Sequence, residues 1–343
     1  MARSRTKTTY TSRTKKRQTK AARAETSSRK ILPWVFAGIF LAGLLYWYFS
    51  EQKVRPDFDG ARALDYVERQ VAFGPRVPGT EAHRQTRDFL VQTLSQFADQ
   101  VGVQRFSYTD RHDSTKTYEG SNIIASFNVG PDYRRRIMLA AHWDTRPTAD
   151  KDPVEANRLL PVPGANDGAS GVAVLLELAS LMKATRPGIG VDIVLFDLED
   201  LGDELEEEAD DTSAVRNPFS IGSEAFASAN PDYRPSYGIV LDMVCDENLR
   251  LPKEANSMAA ARPIVDKVWR AARRVGASAF LDETGQAVMD DHIPFLRRGI
   301  RVIDVIHQPF PSYWHTIEDT PDKCSAQSLE EVGQVVVEVV YSE

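Results

Sequence analysis

Cysteine is scarce in this chain, which holds only two among its 343 residues, Cys245 and Cys324. This scarcity excludes a disulfide-rich scaffold and a cysteine-rich zinc module. Two interpretations stay open for the pair: both side chains are buried as small apolar groups, or they form one disulfide in an oxidising compartment. Internal repeats are absent too, and hydrophobic residues make up 42% of the chain, which is typical of a folded globular protein.

Basic residues are in short supply after position 30, where 31 of them accompany 48 acidic residues. The other eleven Lys and Arg residues all lie within residues 1–30, which contain one acid, Glu25. An acidic folded part argues against nucleic-acid binding, because phosphate contacts need a basic surface. Residues 1–30 show no apolar periodicity, so we expect a disordered basic tail.

Long uncharged runs are also absent, with one exception at residues 31–49. In a helix this run would span roughly 28 Å, close to the thickness of the hydrocarbon core of a bilayer. The basic flank precedes it, so the sequence predicts a single-pass membrane protein with a cytoplasmic N-terminus. The remainder would be exported to the periplasm, the lumen or the cell exterior. A cleaved signal peptide is the alternative, although the bulky aromatics at residues 46–48 argue against it.

Helical periodicities and apolar strands alternate along residues 51–343, where no linker is evident, and indicate one α/β domain. The strands are continuously apolar, which is typical of a mixed, mostly parallel central sheet with helices on both faces. Helices are predicted at 58–73, 80–100, 168–184, 257–275 and 326–341. Strands are predicted at 102–108, 121–127, 136–141, 191–197, 238–244 and 301–306.

The segment 203–211 is strongly acidic, with seven acids among nine residues. Charge runs of this kind are usually solvated surface loops, and we interpret it in that way. Calcium binding is the alternative, but the spacing does not match the glycine-containing loop of an EF-hand.

Polar side chains lie at or just after the ends of the apolar stretches of three predicted strands: His142, the pair Glu199 and Asp200, and Asp242. Because ligands bind at the carboxyl ends of parallel strands, we expect these side chains to meet at one edge of the sheet.

Two further candidates, Asp167 and His315, lie in loops that precede predicted helices. Imidazole and carboxylate groups from several strand and loop ends, without thiolates, suit a catalytic zinc site with three protein ligands and an open position. The residues alone therefore predict a metal-dependent, hydrolase-like site.

Five motifs carry a resemblance to a known superfamily. Residues 142–144 (HWD), 164–171 (GANDGASG) and 196–200 (FDLED) resemble zinc-dependent exopeptidases of the bacterial leucyl aminopeptidase type. Residues 290–299 (DDHIPFLRRG) and 309–316 (PFPSYWHT) are more specific and resemble glutaminyl cyclase, or glutaminyl-peptide cyclotransferase. That family shares the aminopeptidase fold.

The resemblance implies a zinc site and a catalytic acid. Asp167, Asp200 and His315 would hold one zinc ion, and Glu199 would be the general acid/base. The acid at position 200 is often Glu in these families, and the shorter Asp implies a small compensating shift of the backbone.

The remaining implied roles surround that centre. Asp242 and Asp290 would form a carboxylate hydrogen-bond network beside the general acid/base, and Trp314 and Phe310 would line the substrate pocket. His142, with Asp242, matches the pair that binds a second metal ion in the aminopeptidases. One zinc ion is expected, and two remain an alternative.

The implied function is conversion of an N-terminal glutamine of peptides or proteins to pyroglutamate with release of ammonia. A membrane-anchored zinc aminopeptidase is the alternative, and Asp290 with the pair Trp314 and His315 favours the cyclase. A third hypothesis is a non-catalytic ectodomain, similar to transferrin-receptor-like proteins. It predicts eroded ligands, whereas all of them are present.

Two departures from the animal cyclases stand out. The acidic segment 203–211 takes the place of their tryptophan-bearing loop, which changes one wall of the pocket. Their cysteine pair is also missing, and Ala141 occupies one of the expected positions.

Overall fold

The computed structural model describes residues 55–203 and 217–343, together with Phe40. The predicted basic tail lies outside the described residues, and so does the predicted membrane segment apart from Phe40. Residues 204–211 of the acidic segment lie outside them as well. Within the part that is described, no helix combines the length and the apolar character needed to cross a bilayer.

A mixed sheet forms the centre of the described part. Its strands, with two short additional ones, are β1 (Gln100–Thr109), β2 (Thr117–Phe127), β3 (Arg136–His142), β4 (Gly190–Phe196), β5 (Gly238–Asp242), β6 (Leu251–Lys253), β7 (Phe280–Thr284) and β8 (Val302–Ile306). The main sheet has the order β1-β2-β4-β3-β5-β8, and β6 pairs with β7. β1, β2 and β4 are antiparallel neighbours, whereas β4, β3, β5 and β8 run parallel.

The helices pack on both faces of this sheet. They are α1 (Gly60–Val71), α2 (Glu81–Phe97), α3 (Ser170–Ala184), α4 (Ile221–Ala229), α5 (Ala255–Val275), α6 (Ile293–Arg297) and α7 (Ala326–Tyr341). Polar side chains fix where several of them begin: Asp59 accepts a hydrogen bond from the N–H of Arg62, and Thr80 accepts one from the N–H of His83. Such caps satisfy N–H groups that the first helical turn leaves without a partner.

Alternate residues of β3 face opposite sides of the sheet. Leu139 belongs to the larger apolar core, to which α1, α2, α3, α5 and α7 contribute. Met138 and Ala140 face the other side, where they form a smaller cluster with Phe226 of α4 and Phe295 of α6. The two-residue period of a strand thus places apolar side chains against helices on both faces.

The parallel strands end at one edge of the sheet, and α3 brings the loop before it to that edge. Gly171, at the start of α3, lies so close to β5 that a Cβ there would be 2.2 Å from the backbone oxygen of Leu241. Only glycine permits this approach. The loop 164–169 is therefore held beside the carboxyl end of β5.

The observed architecture confirms the mixed α/β class and the mostly parallel sheet that the sequence predicts, and each predicted strand and helix has a counterpart. Residues Arg55–Glu343 form one compact unit, within the predicted domain 51–343. The sequence analysis missed α4, α6, β6 and β7. The longest of them has nine residues, too few for a clear periodicity.

Cys245 and Cys324 form a disulfide, 79 residues apart in sequence. It ties the loop after β5 to the segment before α7. The N–H of Cys245 donates to Asn166 Oδ1 at 3.0 Å, so the disulfide lies beside the loop that carries Asp167. Of the two interpretations left open by the sequence, the disulfide is the one observed.

Candidate active site

Three side chains from separate loops form the first candidate metal-binding group. Asp167, Asp200 and His315 are all buried, and each offers a ligand atom within 4.8 Å of the others. His315 Nε2 lies 3.4 Å from Asp200 Oδ1 and 3.7 Å from Asp167 Oδ2. This is the set that the resemblance assigns to zinc.

A second candidate group shares one member with the first. His142, Asp167 and Asp242 also place their ligand atoms within 4.8 Å of one another. His142 Nε2 lies 3.0 Å from Asp167 Oδ1 and 3.2 Å from Asp242 Oδ1. Asp167 therefore directs its two carboxylate oxygens toward two different histidines.

The loop that presents Asp167 is held by two buried charged residues that the sequence analysis did not single out. Asp319 accepts hydrogen bonds from the N–H groups of Asn166 and Asp167, at 2.8 and 3.0 Å. Arg76 donates to the carbonyl oxygens of Pro163 and Gly164. These contacts satisfy backbone groups that the loop would otherwise leave without partners.

Asp144 fixes the loop after β4, where Glu199 and Asp200 lie. Its two carboxylate oxygens accept from the N–H groups of these residues, both at 3.1 Å. Its Oδ1 also lies 3.6 Å from His142 Nδ1. The loop turns through Leu198, whose φ is 58°. A leucine in this left-handed region stores strain, a feature that is frequent at functional sites.

Glu199 lies in the same cleft, almost fully buried. Burial raises the pKa of Glu199 well above its usual range, and the nearby carboxylates of Asp290, Asp291 and Asp200 add to this rise against the opposing charge of His142. Burial is the larger cause of this rise. A carboxyl group with a raised pKa suits general acid/base chemistry.

The charge balance around His142 depends on carboxylates. Burial would lower the pKa of His142, but Asp144, Asp167 and Asp242 outweigh it and raise this pKa well above its usual value. For Asp200, burial is outweighed by His315 and Arg146, which lower its pKa. The site is thus rich in negative charge, as a site for a divalent cation needs to be.

An aromatic wall stands beside the first group. The Trp314 ring stacks on the His315 imidazole with centroids 3.7 Å apart, and Phe310 lies 4.6 Å from Trp314. Both aromatics line a cleft of about 800 Å³ that also contains Glu199 and Asp290. The wall closes one side of the space above the candidate metal ligands.

A buried group of titratable side chains lies behind Asp290. Asp290, His292 and Asp304 have atoms within 4.8 Å of one another. His292 Nε2 lies 3.3 Å from Glu254 Oε2. The structure buries His292 completely.

The donor chemistry of the first group fits zinc. Its atoms are carboxylate oxygens and imidazole nitrogens, the ligands of catalytic zinc sites. Asp200 Oδ2 is buried and has no hydrogen-bond partner among the described residues. An orphaned buried oxygen is costly unless a cation or a proton satisfies it.

The sequence profile of peptidase family M28 matches residues 122–340. The chain belongs to peptidase family M28. A curated relative of this M28 protein is the glutaminyl-peptide cyclotransferase of Bos taurus, 24% identical over 243 residues. That match covers 63% of this chain and 64% of the bovine protein, so the chain spans just under two thirds of that relative's length.

Solved structures resemble the M28 protein more closely. Glutaminyl cyclase from Bacteroides thetaiotaomicron, bound to N-acetylhistamine, has a TM-score of 0.78 and 40% identity and covers 84% of this chain, with 100% of its own length matched. A Zn-dependent exopeptidase from Parabacteroides distasonis has a TM-score of 0.77, 40% identity and the same two coverages. These similarities confirm the resemblance to glutaminyl cyclases within the zinc aminopeptidase-like superfamily.

The nine residues that the resemblance assigned to the site lie together in the M28 domain. Eight of them line the cleft: Asp167, Glu199, Asp200, Asp242, Asp290, Phe310, Trp314 and His315. The ninth, His142, is buried against Asp167 and Asp242. The sequence analysis missed Arg146 and Asp150, which contact Asp200 and His315. The sequence feature that could have indicated them is their position, because both follow His142 in the loop after β3.

Proposed function

We propose that this M28 protein is a zinc-dependent glutaminyl-peptide cyclotransferase. It would convert the N-terminal glutamine of peptides or proteins into pyroglutamate and release ammonia. The similarity to glutaminyl cyclases supports the reaction. The group Asp167, Asp200 and His315 supports the metal.

One observation carries the choice of cyclisation. Glu199 and Asp290, both buried, share a cleft with the aromatic wall of Trp314 and Phe310. The cleft therefore combines a protonatable carboxyl, a second acid that raises its pKa, and flat apolar surfaces against which a short amide side chain can lie.

Cyclisation requires the α-amine to attack the side-chain amide carbon of the same glutamine. A zinc ion bound by Asp167, Asp200 and His315 would polarise the amide carbonyl. Glu199 accepts a proton from the attacking amine as the N–C bond forms. It then donates that proton to the leaving nitrogen as the amide C–N bond breaks, so that ammonia departs.

A metal-dependent aminopeptidase is the second candidate, and one observation favours it. Asp167 belongs to both candidate groups, an arrangement that suits two metal ions and hydrolysis by an activated water. In that reaction Glu199 would take a proton from water instead of from an amine. The substrate, rather than the catalytic carboxyl, separates the two functions.

The test is a direct competition between substrates. Purified residues 51–343, reconstituted with one and with two equivalents of zinc, are incubated with a Gln-initiated peptide and with leucine amide. We expect pyroglutamyl peptide and ammonia in equal amounts, and no free leucine. Leucine release without cyclised product would instead establish the aminopeptidase. The variant Glu81→Gln serves as a control, because Glu81 is exposed and its side chain pairs with the nearby Arg84 and Gln85, on the same helix.

We also propose that residues 31–49 anchor the protein in a membrane and that the catalytic domain is exported. The disulfide between Cys245 and Cys324 supports export, because disulfides persist in oxidising compartments. Protease treatment of intact cells or spheroplasts tests the orientation: a tag at the C-terminus should be digested and one at the N-terminus protected. The reverse pattern would overturn the proposed topology.

A further inference from the structure

Arg146 lies buried in the loop after β3 and joins two acidic side chains. Its Nε and Nη2 donate to the two carboxylate oxygens of Asp150, at 2.7 and 2.8 Å. Its Nη1 donates to Asp200 Oδ1 at 3.2 Å and to the Gly202 carbonyl at 2.8 Å. The planar guanidinium is thus held on two sides, by a bidentate contact with Asp150 and by the contacts with Asp200 and Gly202.

Asp150 extends this contact to the histidine of the first metal-binding group. The Asp150 Oδ1 that accepts from Arg146 lies 3.6 Å from His315 Nδ1. The other nitrogen of that ring, Nε2, faces Asp200 and Asp167. The group that meets the outer nitrogen of a histidine sets the orientation of the inner one. Arg146 therefore touches Asp200 directly and His315 through Asp150.

The two oxygens of Asp200 have different environments. Oδ1 accepts from Arg146, whereas Oδ2 is buried without a hydrogen-bond partner among the described residues. Oδ1 is thus held by Arg146, whereas Oδ2 is available to bind a cation.

We propose that Arg146, acting with Asp150, is a positioning residue that orients Asp200 and His315 toward one zinc ion. The inference rests on the proposed zinc site but not on which reaction the site performs. Two effects of Arg146 oppose each other. Its positive charge repels a cation, whereas its hydrogen bonds hold two ligands in place. We infer that the second effect is the larger.

Two substitutions separate charge from geometry, and zinc affinity is the readout. Arg146→Lys keeps the charge but loses the planar fork, and Arg146→Met removes both. Competition of the purified domain with a fluorescent zinc chelator should show binding weakened by about 10- to 100-fold in both variants, the usual effect of losing an outer contact. Asp150→Asn should weaken binding by about tenfold. Cobalt-substituted variants should show altered visible absorption bands, which report the geometry around the metal.

The control is Arg136→Lys. Arg136 makes a similar bidentate contact with Asp192, at 3.0 and 2.6 Å, but it lies at the opposite end of β3. The zinc affinity of the Arg136→Lys variant should stay within about twofold of wild type, because Arg136 lies roughly 20 Å from the site. Thermal unfolding of the metal-free variants checks that all of them fold.

Several results would overturn the inference. Tighter zinc binding by Arg146→Met, with unchanged binding by Arg146→Lys, would show that Arg146 only balances charge. Equal weakening in Arg136→Lys would show a general effect of fold stability. Unchanged binding by Asp150→Asn would remove the step through Asp150. A wild-type domain that binds no zinc would overturn the metal site itself, which distinguishes that failure from the others.

Discussion

Asp167 Oδ1 lies 3.0 Å from His142 Nε2. The other oxygen of the same carboxylate lies 3.7 Å from His315 Nε2. A single aspartate in the loop before α3 therefore connects the two candidate metal-binding groups. The backbone N–H of Asp167 is tied to Asp319, so this carboxylate is positioned by the loop as well as by the histidines.

The shared carboxylate leads to a prediction on zinc content. Asp167→Asn should weaken zinc binding by more than about a hundredfold, since losing even an outer contact costs about ten- to a hundredfold. His315→Gln should do the same, whereas His142→Gln should retain one zinc per chain. Metal analysis after dialysis measures the content. Loss of all zinc in His142→Gln, with retention in His315→Gln, would move the ion to the other group.

The carboxyl of Glu199 leads to a prediction on turnover. Glu199→Gln keeps the shape of the side chain but cannot accept a proton, so kcat for glutamine cyclisation should fall by about 10²- to 10⁴-fold. Zinc content and thermal unfolding should remain near those of wild type. Glu81→Gln, at an exposed position, should keep full activity. A Glu199→Gln protein with the wild-type rate would show that another group transfers the proton in either proposed reaction.

Sequence reasoning found the parts of the fold that have long apolar patterns. The strand over residues 136–141 and the helix over 326–341 are continuous and bounded by turn residues, and both occur almost as predicted. The short α6 begins with a proline at its second position and has five residues, so neither periodicity nor length marks it. This helix is stabilised by the packing of Phe295 in the smaller apolar cluster and not by a pattern in its own sequence.

The same limit applies to the site. Asp200 and His315 could be predicted because their neighbours form recognisable motifs at the ends of elements. Arg146 could not, because a lone arginine in a loop usually lies in solvent, and only the tertiary structure shows its contact with Asp200. Asp319 could not be predicted either, because 152 residues separate it from Asp167, from whose N–H it accepts a hydrogen bond.

A buried glutamate on α3 leads to a prediction on stability and pH. Burial raises the pKa of Glu177 from 4.5 to about 7, although Arg62 opposes the rise. An acid whose pKa is raised in the folded state does not change the stability below its unfolded pKa. It destabilises the fold progressively as pH rises from the unfolded pKa to the folded one. Glu177 should therefore reduce wild-type stability by about 3 kcal/mol between pH 4.5 and pH 8.

Glu177→Gln should lack this loss. Urea unfolding at several pH values should show the variant gaining about 3 kcal/mol on wild type between pH 4.5 and pH 8. At each pH, the unfolding free energy of wild type is subtracted from that of the variant, and this difference is compared with its value at pH 4.5. The subtraction cancels the contributions of the other titrating groups. A difference that stays constant over this range would mean that Glu177 ionises as it does in the unfolded chain.

Glu254 should show the opposite sign. Burial would raise its pKa, but His292 and the N–H groups of Ser257 and Asn256 outweigh burial and lower this pKa from 4.5 to about 2. A lowered pKa stabilises the fold above the unfolded value, and this contribution disappears as pH falls through the folded value. Glu254→Gln should therefore lose about 3 kcal/mol at pH 7, with a smaller deficit near pH 2. Glu177→Gln, unfolded in parallel, is the matched control, since its difference from wild type must change in the opposite sense as pH rises. A deficit in Glu254→Gln that is independent of pH would show that the side chain acts only as a neutral cap of α5.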